Sequence, residues 1–202
     1  MNSNRACQVV ALIMAAGYSH RFGPSDKRCA LMPDGQTLLA ASLANAQKAF
    51  THLRVAVREE EDPALLGIPE DVALVRVREA HLGLGASLAE AVGALGRDPG
   101  LDDIDAVAIL LGDMPYIDPK TMLALQRLAC RDTIVRPCFE DQQGHPVIFG
   151  RAMWPALESL TGSDGAKGVI KQYASRLREC PVADAGILRD IDAPADLPGP
   201  FS

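Results

Sequence analysis

No apolar run in the 202 residues approaches the roughly 18 that a helix needs to cross a bilayer. The first apolar stretch, Val9 to Ala16, is short and runs at once into a glycine-bearing polar loop, which does not fit a secretory leader, so a cytoplasmic protein is expected. Paired cysteines are missing as well. Cys7, Cys29, Cys130, Cys138 and Cys180 are odd in number and scattered, with no Cys-x-x-Cys pair and no histidine at metal-site spacing. They read as reduced packing residues, Cys29 included, although Lys27 and Arg28 just before it are the kind of neighbours that favour a thiolate. Excess positive charge is absent too. Against 20 Lys and Arg stand 26 Asp and Glu, so bulk attraction to nucleic acid is excluded, and acidic runs such as Glu59-Glu60-Glu61-Asp62 read as solvated surface. Two familiar phosphate loops are also lacking. No Gly-x-x-x-x-Gly-Lys-[Ser/Thr] occurs, and Gly83-Leu-Gly-Ala-Ser-Leu88 has no third glycine of the dinucleotide fingerprint.

What is present begins with strand-length apolar runs at Val9 to Met14, Leu53 to Val57, Ala73 to Val77 and Ala106 to Leu111. Helix-like stretches lie at Thr37 to Phe50, Ser87 to Leu95 and Pro119 to Ala129, the last opened by Asp118 as N-cap and Pro119 at the first helical position. This alternation predicts an α/β fold, a three-layer αβα Rossmann-like arrangement with a mostly parallel central sheet. Farther on, Ile134 to Cys138 and Val147 to Phe149 flank the polar stretch 140–144 like the arms of a long hairpin, so the sheet is expected to be mixed at one edge. Helical segments near 153–160 and 166–174 and a strand near 177–180 complete the layers. With hydrophobic residues at 48%, no internal repeat and no linker, residues 1–202 are read as a single domain.

The segment from Leu12 to Lys27 is the most informative. The first strand ends at Met14 and the chain becomes small at Ala15, Ala16 and Gly17, which lets backbone amides approach a ligand at the carboxyl edge of the sheet. Because the protein is acidic, an anionic ligand needs a local basic site. His20, Arg21, Lys27 and Arg28 supply one, opposed there only by Asp26, and the bend at Gly23-Pro24 allows Arg21 and Lys27 to face a triphosphate. The same residues are also compatible with an ordinary βα turn. Asp113, just past the apolar run 106–111 and Gly112, falls on the same edge, where a magnesium ion would meet phosphate oxygens with only one or two protein carboxylates. A capping role for it is less needed, since Asp118-Pro119 already opens the following helix. Ser87 contacts base or ribose, or caps the helix that follows it.

Met14-Ala-Ala-Gly-x-Ser-x-Arg21-Phe-Gly followed by Asp26-Lys27 resembles the signature of the molybdenum-cofactor nucleotidyltransferases, which join cytidylyl or guanylyl groups to molybdopterin. The resemblance continues in order through Leu31-Met-Pro-Asp-Gly-Gln-Thr-Leu-Leu39, Gly83 to Leu88, Leu111-Gly-Asp-Met-Pro115, Gly144-His-Pro-Val-Ile-Phe149 and Asp190-Ile-Asp-Ala-Pro-Ala-Asp196. It implies that Met14, Ala15, Ala16, Gly17 and Ser87 bind a nucleoside triphosphate, that Arg21 and Lys27 act on its phosphates, and that Asp113 holds Mg2+. A second metal carboxylate comes from Asp190 or Asp192, although Asp192 to Asp196 also reads as a helix start. His145 lines the acceptor pocket or serves as a turn residue beside Pro146.

Two departures stand out: the late stretch here is Gly162-Ser-Asp-Gly-Ala-Lys167 in place of Gly-Asp-x-Gly-Ala-Arg, and Gln143 precedes Gly-His-Pro. Ala16 favours CTP, whereas the step from Arg21 to Lys27 is guanylyl-like; CTP is preferred. The expected partners are a nucleoside triphosphate, a phosphorylated acceptor of the molybdopterin kind and a molybdoenzyme or its chaperone, with no nucleic acid and no membrane. A sugar-phosphate nucleotidyltransferase and a non-catalytic nucleotide-binding carrier are the competing expectations.

Overall fold

A computed structural model describes residues 5–18, 22 and 26–197. Strand β1, Val9–Met14, is buried along its whole length. Its side chains divide with the period of two that a strand imposes. Val9, Ala11 and Ile13 face a core built with Leu39 and Leu43, while Val10, Leu12 and Met14 face another built with Leu88, Val92 and Leu157. A strand apolar on both faces must be covered on both, and this is the basis of the three layers.

Helices α1 (Leu38–Gln47) and α3 (Pro119–Leu128) cover one face, and α2 (Leu84–Gly96), α4 (Trp154–Glu158) and α5 (Lys167–Gln172) cover the other. The remaining strands are β2 (His52–Arg58), β3 (Leu74–Val77), β4 (Ala106–Leu111), β5 (Ile134–Phe139), β6 (Gln142–Gln143), β7 (Val147–Gly150) and β8 (Leu177–Pro181). The sheet order is β3-β2-β1-β4-β7-β5-β6, with β8 paired to β5. Pairs β3–β2, β2–β1, β1–β4 and β5–β8 are parallel; β4–β7, β7–β5 and β5–β6 are antiparallel. The sheet is therefore mostly parallel in its first half and mixed beyond β4, as the sequence predicts.

The chain adds strands on both sides of β1, so the order reverses between β1 and β4, and Met14 is in register with Leu111. Segments leaving β1 and β4 therefore emerge side by side at the carboxyl edge, where the crevice at a topological switch point receives ligands. Helix α3 starts on the cap expected from the sequence, Asp118, which accepts from Lys120 N, and α1 starts on Thr37, which accepts from Ala40 N.

Two local features differ from expectation. The polar stretch at 140–144 is partly strand, because β6 folds back on β5 through Glu140 and Asp141, with φ of 47° and 62°. Two consecutive left-handed residues make a two-residue turn whose twist suits a tight hairpin. Helix α2 begins at Leu84, so Ser87 sits inside it and does not cap it. The Gly162 carbonyl accepts from the Gly85 and Ala86 amides at 2.8 and 3.3 Å, doing the work of a cap from a distant loop. A Cβ on Gly85 would lie 2.8 Å from both the Gly162 and Thr161 carbonyl oxygens, so these glycines serve close backbone packing. Among the described residues no helix is long and apolar enough to cross a membrane.

Candidate active site

The site is assembled from three separate parts of the chain. Beyond β4, the Gly112 amide donates to the Met14 carbonyl at 3.1 Å, and a Cβ at Gly112 would stand 3.0 Å from Leu39 Cδ1. A side chain here would crowd Leu39 and the Met14 carbonyl, so glycine suits the close approach of the two strand exits, and Asp113 follows directly. From the first loop comes a single 3₁₀ turn, Lys27–Cys29, capped by Asp26, which accepts from the Arg28 amide. From the late segment comes Ile191, fully buried against Phe22, Met32 and Leu38, whose amide donates to the Asp113 carbonyl at 3.0 Å. That anchor delivers the next residue, Asp192, to the same edge.

Lys27 joins the three parts. Its Nζ donates to Asp113 Oδ2 at 2.7 Å and to Asp192 Oδ1 at 2.9 Å. Burial works to lower the Lys27 pKa, but the hydrogen bonds and charges of the two aspartates outweigh it and raise the pKa, so the ammonium stays charged. Asp196, and not Asp192, accepts from the Asp192 and Ala193 amides around the turn Pro194–Asp196, so the carboxylate of Asp192 faces Lys27 while Asp196 organises the turn. Asp113 Oδ1 is buried and has no hydrogen-bond partner among the described residues. An unpartnered buried carboxylate oxygen invites a cation. This all-oxygen donor set fits a hard divalent ion that completes its shell with substrate oxygens. No group of three or more His, Cys, Asp or Glu side chains suited to a metal occurs among the described residues, so the phosphates would have to supply the remaining ligands.

Asp113 and Lys27 border a cavity of about 430 Å³. One wall is Met14 to Tyr18 with Lys27; the opposite wall includes Gly83, Leu84 and Ser87 from the start of α2. Four predicted nucleotide-loop residues, Met14, Ala15, Ala16 and Gly17, are thus brought together with Ser87, Lys27 and Asp113. The Ser87 hydroxyl donates to the Gly83 carbonyl at 3.1 Å, so it faces the cavity as an acceptor. Arg21, the other predicted cation, lies outside the described residues.

A second cavity of about 250 Å³ adjoins the first and shares Leu84 and Leu111 with it. His145 lines it, together with Arg136, Gln143, Asp164 and Lys167 over an apolar floor that includes Val147 and Phe149. Burial pushes the His145 pKa down, against the opposing charges of Asp113 and Asp190 and a backbone hydrogen bond at Ile109, so the ring is neutral. Its Nδ1 is buried and has no partner among the described residues, and the same holds for Arg136 Nε. His145 is therefore a cavity residue as well as a neighbour of Pro146, while Asp190 lines neither cavity.

The sequence reading missed Arg136, which sits on an ordinary-looking strand, and misplaced Glu61. Its side chain is 11% exposed and pairs with Arg28 and Arg58, so it is not part of a solvated acidic face. A basic partner three residues before it, Arg58, was the available signal.

The comparisons agree with this architecture. Residues 11–177 match the family described as the MobA-like NTP transferase domain. The crystal structure of Rv0371c from Mycobacterium tuberculosis H37Rv is 27% identical, with a TM-score of 0.75 over 94% of this chain and 95% of that one. Its homolog from Mycobacterium sp. strain JC1 is 30% identical, with a TM-score of 0.78 over 93% of this chain and 92% of that one. Rv0371c has also been crystallised in complex with manganese, in a structure 26% identical with a TM-score of 0.72 over 94% of this chain and 95% of that one. A nucleotidyl transferase from Methanothermobacter, at 21% identity and a TM-score of 0.75 over 94% of each chain, shares the fold. No match was found among curated proteins at a significant level. With the family match running from within β1 to the start of β8, the chain belongs to the MobA-like NTP transferase family and is a nucleotidyltransferase.

Proposed function

We propose that the protein, acting as one domain in the cytoplasm, transfers a nucleoside monophosphate from a triphosphate to the phosphate of molybdopterin or its molybdenum-loaded form, with CTP preferred to GTP. The observation that carries this reading is the Lys27 bridge between Asp113 and Asp192 at the mouth of the larger cavity. In the reaction an acceptor phosphate oxygen forms a bond to the α-phosphorus. The bond from that phosphorus to the bridging β-oxygen breaks, and pyrophosphate leaves with the electron pair. The attacking oxygen is already anionic, so no strong general base is required. Alignment and charge neutralisation are the main work left for the protein.

Asp113 and Asp192 would hold Mg2+, which when bound supplies charge neutralisation at phosphate oxygens. That Rv0371c has been crystallised in complex with manganese supports the use of a divalent ion. Lys27, and Arg21 from the same loop, would stabilise the charge that builds on the departing pyrophosphate. Ala15, Ala16 and Gly17, following Met14, bring little side chain between the backbone and the nucleotide, and Ser87 offers its hydroxyl oxygen.

The second cavity is the acceptor lobe in this reading, because it adjoins the first at Leu84 and Leu111 and is lined by His145 and Arg136, each with a nitrogen that has no partner among the described residues. A neutral imidazole nitrogen and a guanidinium N–H over an apolar floor suit a flat heterocycle with both donors and acceptors on its edge. A molybdoenzyme or its chaperone is the expected recipient of the product.

The test is pyrophosphate release measured across the four triphosphates, with molybdopterin and with simple sugar phosphates as acceptors. Release only with molybdopterin and CTP is expected. A GTP preference overturns the choice of base, turnover with sugar phosphates alone overturns the acceptor, and binding without turnover on any acceptor makes the protein a carrier.

A further inference from the structure

Arg28 follows Lys27 and lines the same cavity, yet its residue surface is only 5% exposed. A guanidinium has five N–H donors, and here all five are engaged. Nε donates to Asp26 Oδ1 at 2.9 Å. Nη1 donates to the Ala15 carbonyl and to Glu61 Oε2, the latter at 2.9 Å. Nη2 donates to Asp26 Oδ2 at 2.5 Å and to Glu61 Oε1. Nothing remains for a triphosphate, so Arg28 cannot act as a phosphate ligand without breaking this set.

Glu61 is the centre of the arrangement. It also accepts from the Arg58 amide at 2.9 Å and from the Arg58 guanidinium, and that guanidinium lies 4.5 Å over the ring of Tyr18. Two links therefore run from one carboxylate to the loop after β1, one through Arg28 to the Ala15 carbonyl and one through Arg58 to the Tyr18 ring. Between them, Gly17 has open space where a Cβ would be, so the middle of the loop is not held by packing at that point. Arg28 and Arg58 are met by Asp26, Glu60 and Glu61, so the cluster carries no excess positive charge and lies beside an anion-binding cavity without drawing the anion to itself.

We infer that Glu61 is a positioning residue that holds residues 15–18, through Arg28 and Arg58, in the conformation that receives the nucleotide. This rests on the reading of the larger cavity as a triphosphate site. Glu61 touches neither substrate nor metal in this role, and it acts through the loop alone.

The test uses the full chain carrying Glu61→Gln and, separately, Arg28→Lys, whose single ammonium cannot reach all the acceptors of the guanidinium. Amide hydrogen exchange without nucleotide is expected to rise about tenfold at residues 16–18 while β1 and β4 keep their protection. In the pyrophosphate-release assay, KM for the triphosphate should rise about tenfold with kcat changed less than about twofold, since a displaced loop loses binding and not chemistry. Unchanged exchange at 16–18 in both variants overturns the inference. So does an even loss of protection across β1 and β4 in both, which would make the cluster purely structural. Should only Glu61→Gln unfold, Arg28→Lys decides by the same criteria. Failure of the wild-type protein to bind any triphosphate would sink the nucleotide reading instead, and the exchange comparison, made without nucleotide, would still judge the loop.

Discussion

Lys27 Nζ lies 2.7 Å from Asp113 Oδ2, joining residues 86 positions apart in the chain. An ammonium and a divalent ion compete for the same carboxylates. The contact is thus both a source of local order and a reporter of what the site binds.

Asp113 is the residue on which activity is expected to depend most. Asp113→Ala should lower pyrophosphate release by roughly 10³-fold or more, because the buried oxygen without a partner is lost together with the bridged one. Circular dichroism should show an unchanged fold, since Asp113 ends a strand exit and is no part of either core. Turnover at the wild-type rate would remove Asp113 from the mechanism.

Lys27→Ala should act in opposite directions on two measurements. Transition-state stabilisation is expected to fall by about 2–4 kcal/mol, read from kcat/KM. Binding of Mn2+ without nucleotide, followed by calorimetry, should become tighter, because a competing positive charge has left Asp113 and Asp192. Weaker manganese binding in this variant would mean that the ion does not use these carboxylates.

The junction of α2 with the loop at 161–165 is a steric requirement. A Cβ at Gly85 would meet two backbone carbonyl oxygens at 2.8 Å, and backbone cannot rotate away as a side chain can. Gly85→Ala should cost about 1–3 kcal/mol in chemical denaturation, despite the better helix propensity of alanine. A stabilised variant would show that the loop moves aside freely.

Acid sensitivity should concentrate in the Arg28 cluster. Burial acts to raise the carboxyls of Asp26 and Glu61, but hydrogen bonds from Arg28 outweigh it and hold both below their ordinary values of 3.8 and 4.5. A carboxyl depressed on folding contributes stability that is fully present above its unfolded pKa and is lost as pH falls through the folded one. Thermal unfolding midpoints of the wild type should therefore drop steeply below about pH 4.5, and Glu61→Gln should show a shallower drop. Parallel curves would mean that Glu61 is not depressed by folding.

Several of these features were readable from residue order, and others were not. Strands β1 and β4 were legible to the residue, because strands buried on both faces appear as unbroken apolar runs. The cap Asp118 acts locally and was equally visible, whereas the start of α2 was misread because its amides are satisfied by Gly162, far away in the chain. Glu61 was taken for a solvated residue because its neighbours in sequence are acidic, while its partner Arg28 lies 33 positions away and meets it only in the folded chain.

By itself the sequence determined the alternation of elements, the small-residue loop after β1 and the presence of Lys27, Asp113 and a late Asp-x-Asp, since periodicity, turn chemistry and charge are local properties. Only the tertiary structure decided that Asp192 and not Asp190 meets Lys27, that Arg28 is fully occupied, and that His145 shares a cavity with Arg136. The first depends on the register of β1 with β4 and on the anchoring of Ile191 against Phe22, Met32 and Leu38, the second on Glu61 reaching Arg28, and the third on β5 lying beside β7, contacts between residues distant in sequence.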